Sequence, residues 1–348
     1  MYDYYYTKSY IPLPANTPAQ LSAEWFRLRK NPKYPATVTG SVPASWYFEA
    51  SSEEGYGDCV DYLWGKKKKK FNENAIASMK RGRELEAVAC ARFYEWFRTN
   101  KKDVMIEEST FERSDKIPTL GASPDGIVYE KKHGWILAKK DTIFIFRHNE
   151  GTVELSSEQA EKAVAKAASL SGKQEEIPTQ YISEGYTFEQ QNKGWTMQHA
   201  LSKVPAVCYI KSVIEIKCPK KMPSQPLLYY LPQIHLECFV TNTRSAYFVT
   251  YTADEEKTER LRVWKIKFND CFWNRLLECI ECMQSIQQDG TKGAPYSVFA
   301  PIFEEFKRTY LRKPKVWNDF IEAQFEPRKM SYEVEYNTYG VLELYKGT

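Results

Sequence analysis

The sequence predicts an α/β fold in which a mixed sheet is flanked by helices, and three observations predict it. From about Ile76 to Phe97 the residues Glu86, Ala89, Cys90, Phe93 and Phe97 keep the spacing of one face of a helix. Ser245 to Thr252 and Leu261 to Phe268 alternate in the manner of strands. Between these elements, Val213 to Lys217 is a β-branched apolar run that carries charge on alternate residues. With 348 residues the chain exceeds a typical single domain and has enough length to bury a substantial core.

In chain order, residues 1–20 are rich in tyrosine and proline and read as an extended arm. The core follows in two parts, 21–130 and 213–290, separated by an inserted subdomain at 131–212 and followed by a C-terminal extension at 291–348. Within the insertion, Thr142 to Phe146 and Thr152 to Leu155 read as strands, and about Ser157 to Ser169 as an alanine-rich helix capped by serine. Because both its ends join core strands, the insertion would emerge near the mouth of any site built on them. It would there clamp or restrict a ligand or dock a partner, or else be a subdomain with no such part. Asp270 begins a long helix expected to end near Gly290. The extension carries Phe299, Phe303, Phe306 and Trp317 as aromatic anchors for helices, and Tyr332 to Tyr345 is strand-like.

The chemistry concentrates at three places. On the strand Val213 to Lys217, the period of two puts Glu215 and Lys217 on one face and Ile214 and Ile216 on the other. A carboxylate and an ammonium on an otherwise apolar strand are costly to bury unless they meet a metal, a phosphate or each other. Asp125 lies in Ser123-Pro124-Asp125-Gly126, where Pro124 fixes φ before it and Ile127 begins a strand, so its carboxylate projects at a strand end. Taken singly, the first is equally a salt-bridged surface strand and the second an ordinary reverse turn. Glu86 interrupts the apolar stripe of the upstream helix. It needs either a divalent ion shared with Asp125 and Glu215 or an ion pair with Arg83 or Arg92.

These blocks resemble the PD-(D/E)XK nuclease superfamily and, within it, the phage lambda-type exonucleases, the YqaJ viral recombinase family. The resemblance is carried by Gly82-Arg83-Glu84-Leu85-Glu86, by Ala122 to Gly126, by Ile214-Glu215-Ile216-Lys217-Cys218-Pro219, and by Tyr230, Gln233 and Glu237 with the strand Ala246-Tyr247-Phe248-Val249. A weaker block comprises Trp25 to Arg29 and Val38-Thr39-Gly40-Ser41. It implies a restriction-endonuclease-like core with a long insertion between two catalytic strands, since more than eighty residues separate the Ile127 strand from Val213 where the family has a short hairpin.

The resemblance further implies that Asp125, Glu215 and the carbonyl of Ile216 bind Mg²⁺ or Mn²⁺. Glu86 would complete the acidic shell directly or through water, Lys217 would position the attacking water or steady transition-state charge, and Gln233 would orient Lys217 or the nucleophile. Arg29, Ser41 and Ser123 are the counterparts of a 5′-phosphate grip. The implied activity is 5′-to-3′ exonuclease action on linear double-stranded DNA in recombination or repair. The alternatives are a structure-specific or nicking endonuclease of the same superfamily and an inactive DNA-binding or assembly module. A homotrimer and a single-strand-annealing protein are the implied partners.

Composition agrees without deciding the matter. A formal charge of +4 falls short of the strongly basic signature of a dedicated nucleic-acid binder, so any positive surface is local. The run Lys66, Lys67, Lys68, Lys69 and Lys70, with Lys80, Arg81 and Arg83, is a candidate phosphate contact, a solvated loop or an import signal. Eight cysteines scattered over such a length do not form a secreted disulfide framework, and no signal peptide or membrane-spanning run is read. The expected location is therefore intracellular, in the nucleus of a eukaryote or otherwise in the cytoplasm. Cys279-x-x-Cys282 lies in an amphipathic helix and reads as core rather than as an iron–sulfur ligand pair, and His133, His148, His199 and His235 show no zinc spacing.

Overall fold

The computed structural model describes residues 10–11, 17–18, 22–68, 71–100, 104–138, 144–148, 151–155, 160, 162–163, 182–183, 186–191, 194–197, 204–253, 259–311, 320–325, 334–336 and 342–344. It divides into two units, residues 1–128 with 211–348, and residues 129–210.

In the first unit the helix Glu73–Asn100 starts where Asn72 accepts a hydrogen bond from the Ala75 amide at 2.8 Å, a side-chain cap that satisfies one of the free N–H groups of the first turn. Its apolar stripe then buries Ala89, Phe93, Trp96 and Phe97 against Ile214, Ile216, Tyr247, Val249 and Val263. Fully buried phenylalanines each contribute about 1.5–3 kcal/mol by leaving water. Phe93 and Phe97 also meet Tyr247 at ring distances of 5.8 and 4.9 Å. Arg92 is carried into this core and pairs with Glu259 through two bonds of 2.7 and 3.2 Å, which compensates a charge that would otherwise be costly to bury.

The sheet beneath this helix is mixed, as expected, and helices lie against it. Its main path runs Tyr10–Ile11, Val104–Glu107, Gly126–Ala138, Val204–Lys217, Ser245–Ala253, Glu259–Lys267 and Ile321–Phe325. Val213 to Lys217 pairs parallel with Ala246 to Thr250, and Ser245–Ala253 pairs antiparallel with Glu259–Lys267. Parallel neighbours need a crossover connection, and the helix Leu231–Val240 provides it. That helix is apolar on almost every side and nearly all of it is buried, so its polar residues Gln233, His235 and Glu237 have to find partners inside the protein.

A small sheet stands beside the large one, with Leu120–Ala122 parallel to Val38–Thr39 and antiparallel to Glu112–Arg113. Gly121 is required there, because a Cβ would fall 2.4 Å from the Phe111 ring.

Two elements differ from expectation. The helix that begins at Asp270 stops at Gln284 rather than near Gly290, because Ser285 is extended and residues 286–292 fold back as a short loop. There Ile286 bridges to Lys292, and Gly290 has a φ of 83° that suits glycine. The C-terminal extension supplies a helix, Tyr296–Phe306, whose Phe299, Phe303 and Phe306 are buried. It also supplies the strand Ile321–Phe325, which joins the main sheet as the neighbour of Glu259–Lys267. Trp317 lies outside the described residues. Within Tyr332 to Tyr345, Val334–Tyr336 and Leu342–Leu344 pair antiparallel.

In the second unit, Gly134 to Ala138 pairs antiparallel with Phe144–His148, and that strand pairs with Gly151–Leu155. Tyr186–Gln191 forms a separate three-stranded sheet with Ile182–Ser183 and Gly194–Met197. Most of the expected helix over residues 157–169 lies outside the described residues, as does most of the 1–20 arm. Among the described residues no helix is long and apolar enough to cross a membrane.

His235 shows what the buried crossover helix demands. Its Nδ1–H donates to the Leu231 carbonyl at 2.9 Å and its Nε2 accepts from the Asn269 amide at 3.2 Å, with Phe268, Phe272 and Phe320 around the ring. Burial holds its pKa down to about 4. A folded pKa below the unfolded value means that protons favour the unfolded chain, so this contribution is intact above about pH 6.5 and is lost as pH falls toward 4, amounting to about 3 kcal/mol. The stability advantage of wild type over His235→Gln, measured by urea unfolding, should shrink across that window. A pH-independent difference would contradict the buried neutral imidazole.

Candidate active site

The turn Ser123 to Gly126 leads out of the small sheet into the strand Gly126–Ala138 and brings Asp125 against the strand of Glu215. Asp125 docks there by two bonds: its amide donates to the Ile214 carbonyl at 3.1 Å, and its Oδ2 accepts from the Ile216 amide at 2.6 Å. The approach is close, since a Cβ on Gly126 would sit 3.2 Å from both the Glu107 carbonyl oxygen and Ile214 Cδ1.

On the face of the strand opposite the Ile214 and Ile216 core, Glu215 is 2% exposed and meets the crossover helix. Its Oε1 accepts from Lys217 Nζ and from Gln233 Nε2, the latter at 2.6 Å. Gln233 Nε2 also donates to Glu237 Oε1 at 2.8 Å. One amide nitrogen thus bridges two buried acids, spending both of its hydrogens and leaving the amide oxygen as its acceptor. Lys217 Nζ lies 5.3 Å from the centre of the Tyr230 ring.

The electrostatics are those of crowded acid. Burial, then the charges of Glu215 and Glu86, push the Asp125 carboxyl well above the usual range, and burial with Glu215 raises Glu86. Burial and Glu215 likewise raise Glu237, whose Oε2 is buried with no hydrogen-bond partner. Burial works against the Lys217 charge, but Glu215 and Asp125 outweigh it and hold the ammonium above its ordinary value. Neighbouring thiols feel the same field: burial, with the nearby acids, pushes Cys90 and Cys218 up to about 12.

This donor chemistry fits a hard divalent cation, which takes oxygen ligands and relieves mutually repelling carboxylates. The fit is through two carboxylates. Among the described residues no group of three or more acidic, histidine or cysteine side chains stands close enough to hold one ion. The fold gives the reason. Glu86 projects from the helix Glu73–Asn100, which packs on the Ile214 and Ile216 face, whereas Glu215 emerges on the other face toward Gln233. The Glu86 charge nevertheless raises the Asp125 carboxyl, so this acid lies within electrostatic reach of the site. The alternative partner Arg92 is engaged by Glu259, and Glu84 pairs with Lys80 at 3.9 Å. Neither Cys279 nor Cys282 joins a metal-holding group among the described residues.

The residues expected to grip a phosphate are partly brought together. The Arg29 guanidinium stacks over the Trp25 ring at 4.3 Å and donates to Thr39 Oγ1 at 2.5 Å, while Trp25 Nε1 donates to Ser123 Oγ at 3.2 Å. Trp25 therefore joins Arg29 to Ser123, two residues before Asp125. Burial lowers the pKa of Arg29, which has no carboxylate partner among the described residues. Ser41 opens the helix Ser41–Glu49, and its side chain lies outside the described residues.

The lysine run is partly neutralised. Lys66 pairs with Asp61 at 3.5 Å and Lys67 with Asp58 at 2.5 Å, Lys68 is exposed, and Lys69 and Lys70 lie outside the described residues. Two participants escaped the sequence reading of roles. Glu237 was visible as an acid inside an otherwise apolar helix, four residues after Gln233. The Trp25–Ser123 link joins residues 98 positions apart and left no local signal.

Residues 24–184 match the model of the YqaJ-like viral recombinase domain, which bears out the resemblance carried by the motif blocks. The matched stretch includes Arg29, Glu86, Ser123 and Asp125 but ends before Glu215, Lys217 and Gln233. Among solved structures the chain is similar to an alkaline exonuclease, LHK-Exo, from Laribacter hongkongensis, at 16% identity over 83% of this chain and 96% of that one, with a TM-score of 0.37. It is similar also to LHK-Exo in complex with dAMP, at 19% identity over 83% of this chain and 97% of that one, again with a TM-score of 0.37. No curated protein sequence matches the chain significantly.

The Gln233 bridge has a measurable worth. Gln233→Leu would leave Glu237 with no donor and Glu215 with Lys217 alone, and unsatisfied buried acceptors cost about 1–3 kcal/mol. The urea midpoint should fall accordingly, and an unchanged midpoint would show that the bridge does not hold the acids in solution.

Proposed function

We propose that this chain is a metal-dependent deoxyribonuclease that hydrolyses phosphodiester bonds, acting 5′-to-3′ as an exonuclease on linear double-stranded DNA in recombination or repair. The observation that carries the reading is the docking of Asp125 on Ile216, which sets its carboxylate beside Glu215 and the single ammonium of Lys217. The match to a viral recombinase domain supports it.

Asp125, Glu215 and the Ile216 carbonyl would hold Mg²⁺ or Mn²⁺, with Glu86 ordering water around it. Such a cation, when bound, polarises a phosphoryl oxygen and lowers the pKa of an attacking water. Two carboxylates suffice, since Mg²⁺ commonly keeps several waters.

Lys217 acts as a fixed positive charge rather than as a base, because its neighbours favour the protonated form. It would donate to the phosphate oxygens as negative charge builds on them. Gln233 holds Glu215 in place through its amide N–H, and its amide oxygen would orient the nucleophilic water. Arg29, stacked on Trp25 and lacking an acidic partner among the described residues, would take a terminal phosphate together with Ser123. The 5′ polarity, a homotrimer and a single-strand-annealing partner follow from the family resemblance.

Incubation with linear and closed-circular DNA, with Mg²⁺ or with chelator, tests the proposal. Metal-dependent loss of linear DNA alone is expected, and an end-labelled duplex should lose its 5′ nucleotide first. Nicked circles would point to an endonuclease, and binding without cleavage to an inactive module. Asp125→Ala and Lys217→Ala should each lower the rate by at least about 100-fold while retaining the fold. Wild-type rates in either variant would remove that residue from the mechanism.

A further inference from the structure

An aromatic row leads away from Lys217 to the surface. Tyr230 lies beside the Lys217 ammonium at 5.3 Å and on Phe248 at 5.4 Å. Tyr229 follows it at 4.4 Å, and Phe48, from the helix Ser41–Glu49, meets Tyr229 at 5.3 Å. Phe48 is 64% exposed, the highest value among the large apolar side chains described, and Leu227 beside the row is 44% exposed. An aromatic ring 64% exposed is poorly used as core.

The segment that joins Lys217 to Tyr229 adds charge of one sign. Lys220 and Lys221 are exposed and form no ion pair among the described residues, in contrast to Lys66 and Lys67. Half-buried and exposed aromatic rings, accompanied by lysines that form no ion pair among the described residues, are the two components of a surface that holds an unpaired nucleic-acid strand. An apolar protein partner would be served by the rings alone and would gain nothing from the two cations.

We propose that Phe48, Tyr229 and Tyr230, with Lys220 and Lys221, form a stacking track for an unpaired DNA strand that runs between the surface and Lys217. This deepens the nuclease reading and rests on it for the direction in which the strand leads. Bases stack on the rings without sequence preference, and the lysines follow the phosphates. The track would accept a frayed or displaced strand and would give the site a preference for ends that open readily.

The test is equilibrium binding of a fluorescent oligothymidylate of twelve nucleotides by the full chain in chelator, where no cleavage occurs. A second oligonucleotide carries 2-aminopurine, whose emission is quenched by stacking. Phe48→Ala and Tyr229→Ala should each weaken binding by about 5- to 150-fold and relieve the quenching, and Phe48→Trp should restore both. Lys220→Ala with Lys221→Ala should instead flatten the salt dependence of binding, which Phe48→Ala leaves alone. Phe48 is exposed enough for the folded state to tolerate its loss, which circular dichroism would verify. Unchanged affinity and unchanged quenching in both aromatic variants would overturn the track. A wild-type protein that binds the strand yet cleaves nothing with Mg²⁺ would defeat the nuclease reading and leave the track standing.

Discussion

The site depends on two hydrogen bonds between a turn and a strand. Asp125 gives its amide to Ile214 and takes the amide of Ile216 on its carboxylate, so a side chain does part of what a neighbouring strand's backbone would do. Without that docking the acid of the turn and the acid of the strand would separate, because they repel. The bond from the Ile216 amide is short, 2.6 Å, and together with the 3.1 Å bond to the Ile214 carbonyl it fixes the turn on the strand. The two Ile residues flanking Glu215 anchor the other side of the strand in the Phe93 and Phe97 core. Packing on one face thereby fixes chemistry on the other.

The parallel pairing of the Glu215 strand with Ser245–Ala253 has a second consequence. It obliges the chain to cross over, and the crossover helix lands with Gln233 and Glu237 against Glu215. A helix so deeply buried has no solvent to satisfy its polar groups. Its glutamine bridges two acids, its histidine stays neutral between a carbonyl and an amide, and one oxygen of Glu237 goes without a partner. The acids of this region outnumber its one lysine, and the pKa shifts all run in the direction that a cation would reverse.

Much of this could be read from the chain itself. The period of two around Glu215 separated charged from apolar faces, the helical stripe placed Glu86 and Phe93, and the alternating segments after Gln233 gave two strands of the sheet. Each of those signals is local. What was not legible is what depends on distant contact. Trp25 reaches Ser123, Arg92 chooses Glu259 over Glu86, and Glu86 sits on the helix that covers the opposite face from Glu215. The early stop at Gln284 came from a short hairpin-like loop in which Gly290 and Gly293 directly flank Thr291 and Lys292, a pattern easily absorbed into a longer helix. Ile321–Phe325 is too short and mixed to announce that it would join the main sheet.

The account stands on the claim that Asp125 and Glu215, held together by the strand, bind one divalent cation. Calorimetric titration of chelator-stripped protein with Mn²⁺ addresses it without recourse to DNA or cleavage. The account predicts saturable binding at a single site in the wild type and none in Asp125→Asn of equal thermal stability. Absence of binding in the wild type, or the same affinity in the variant, would contradict it.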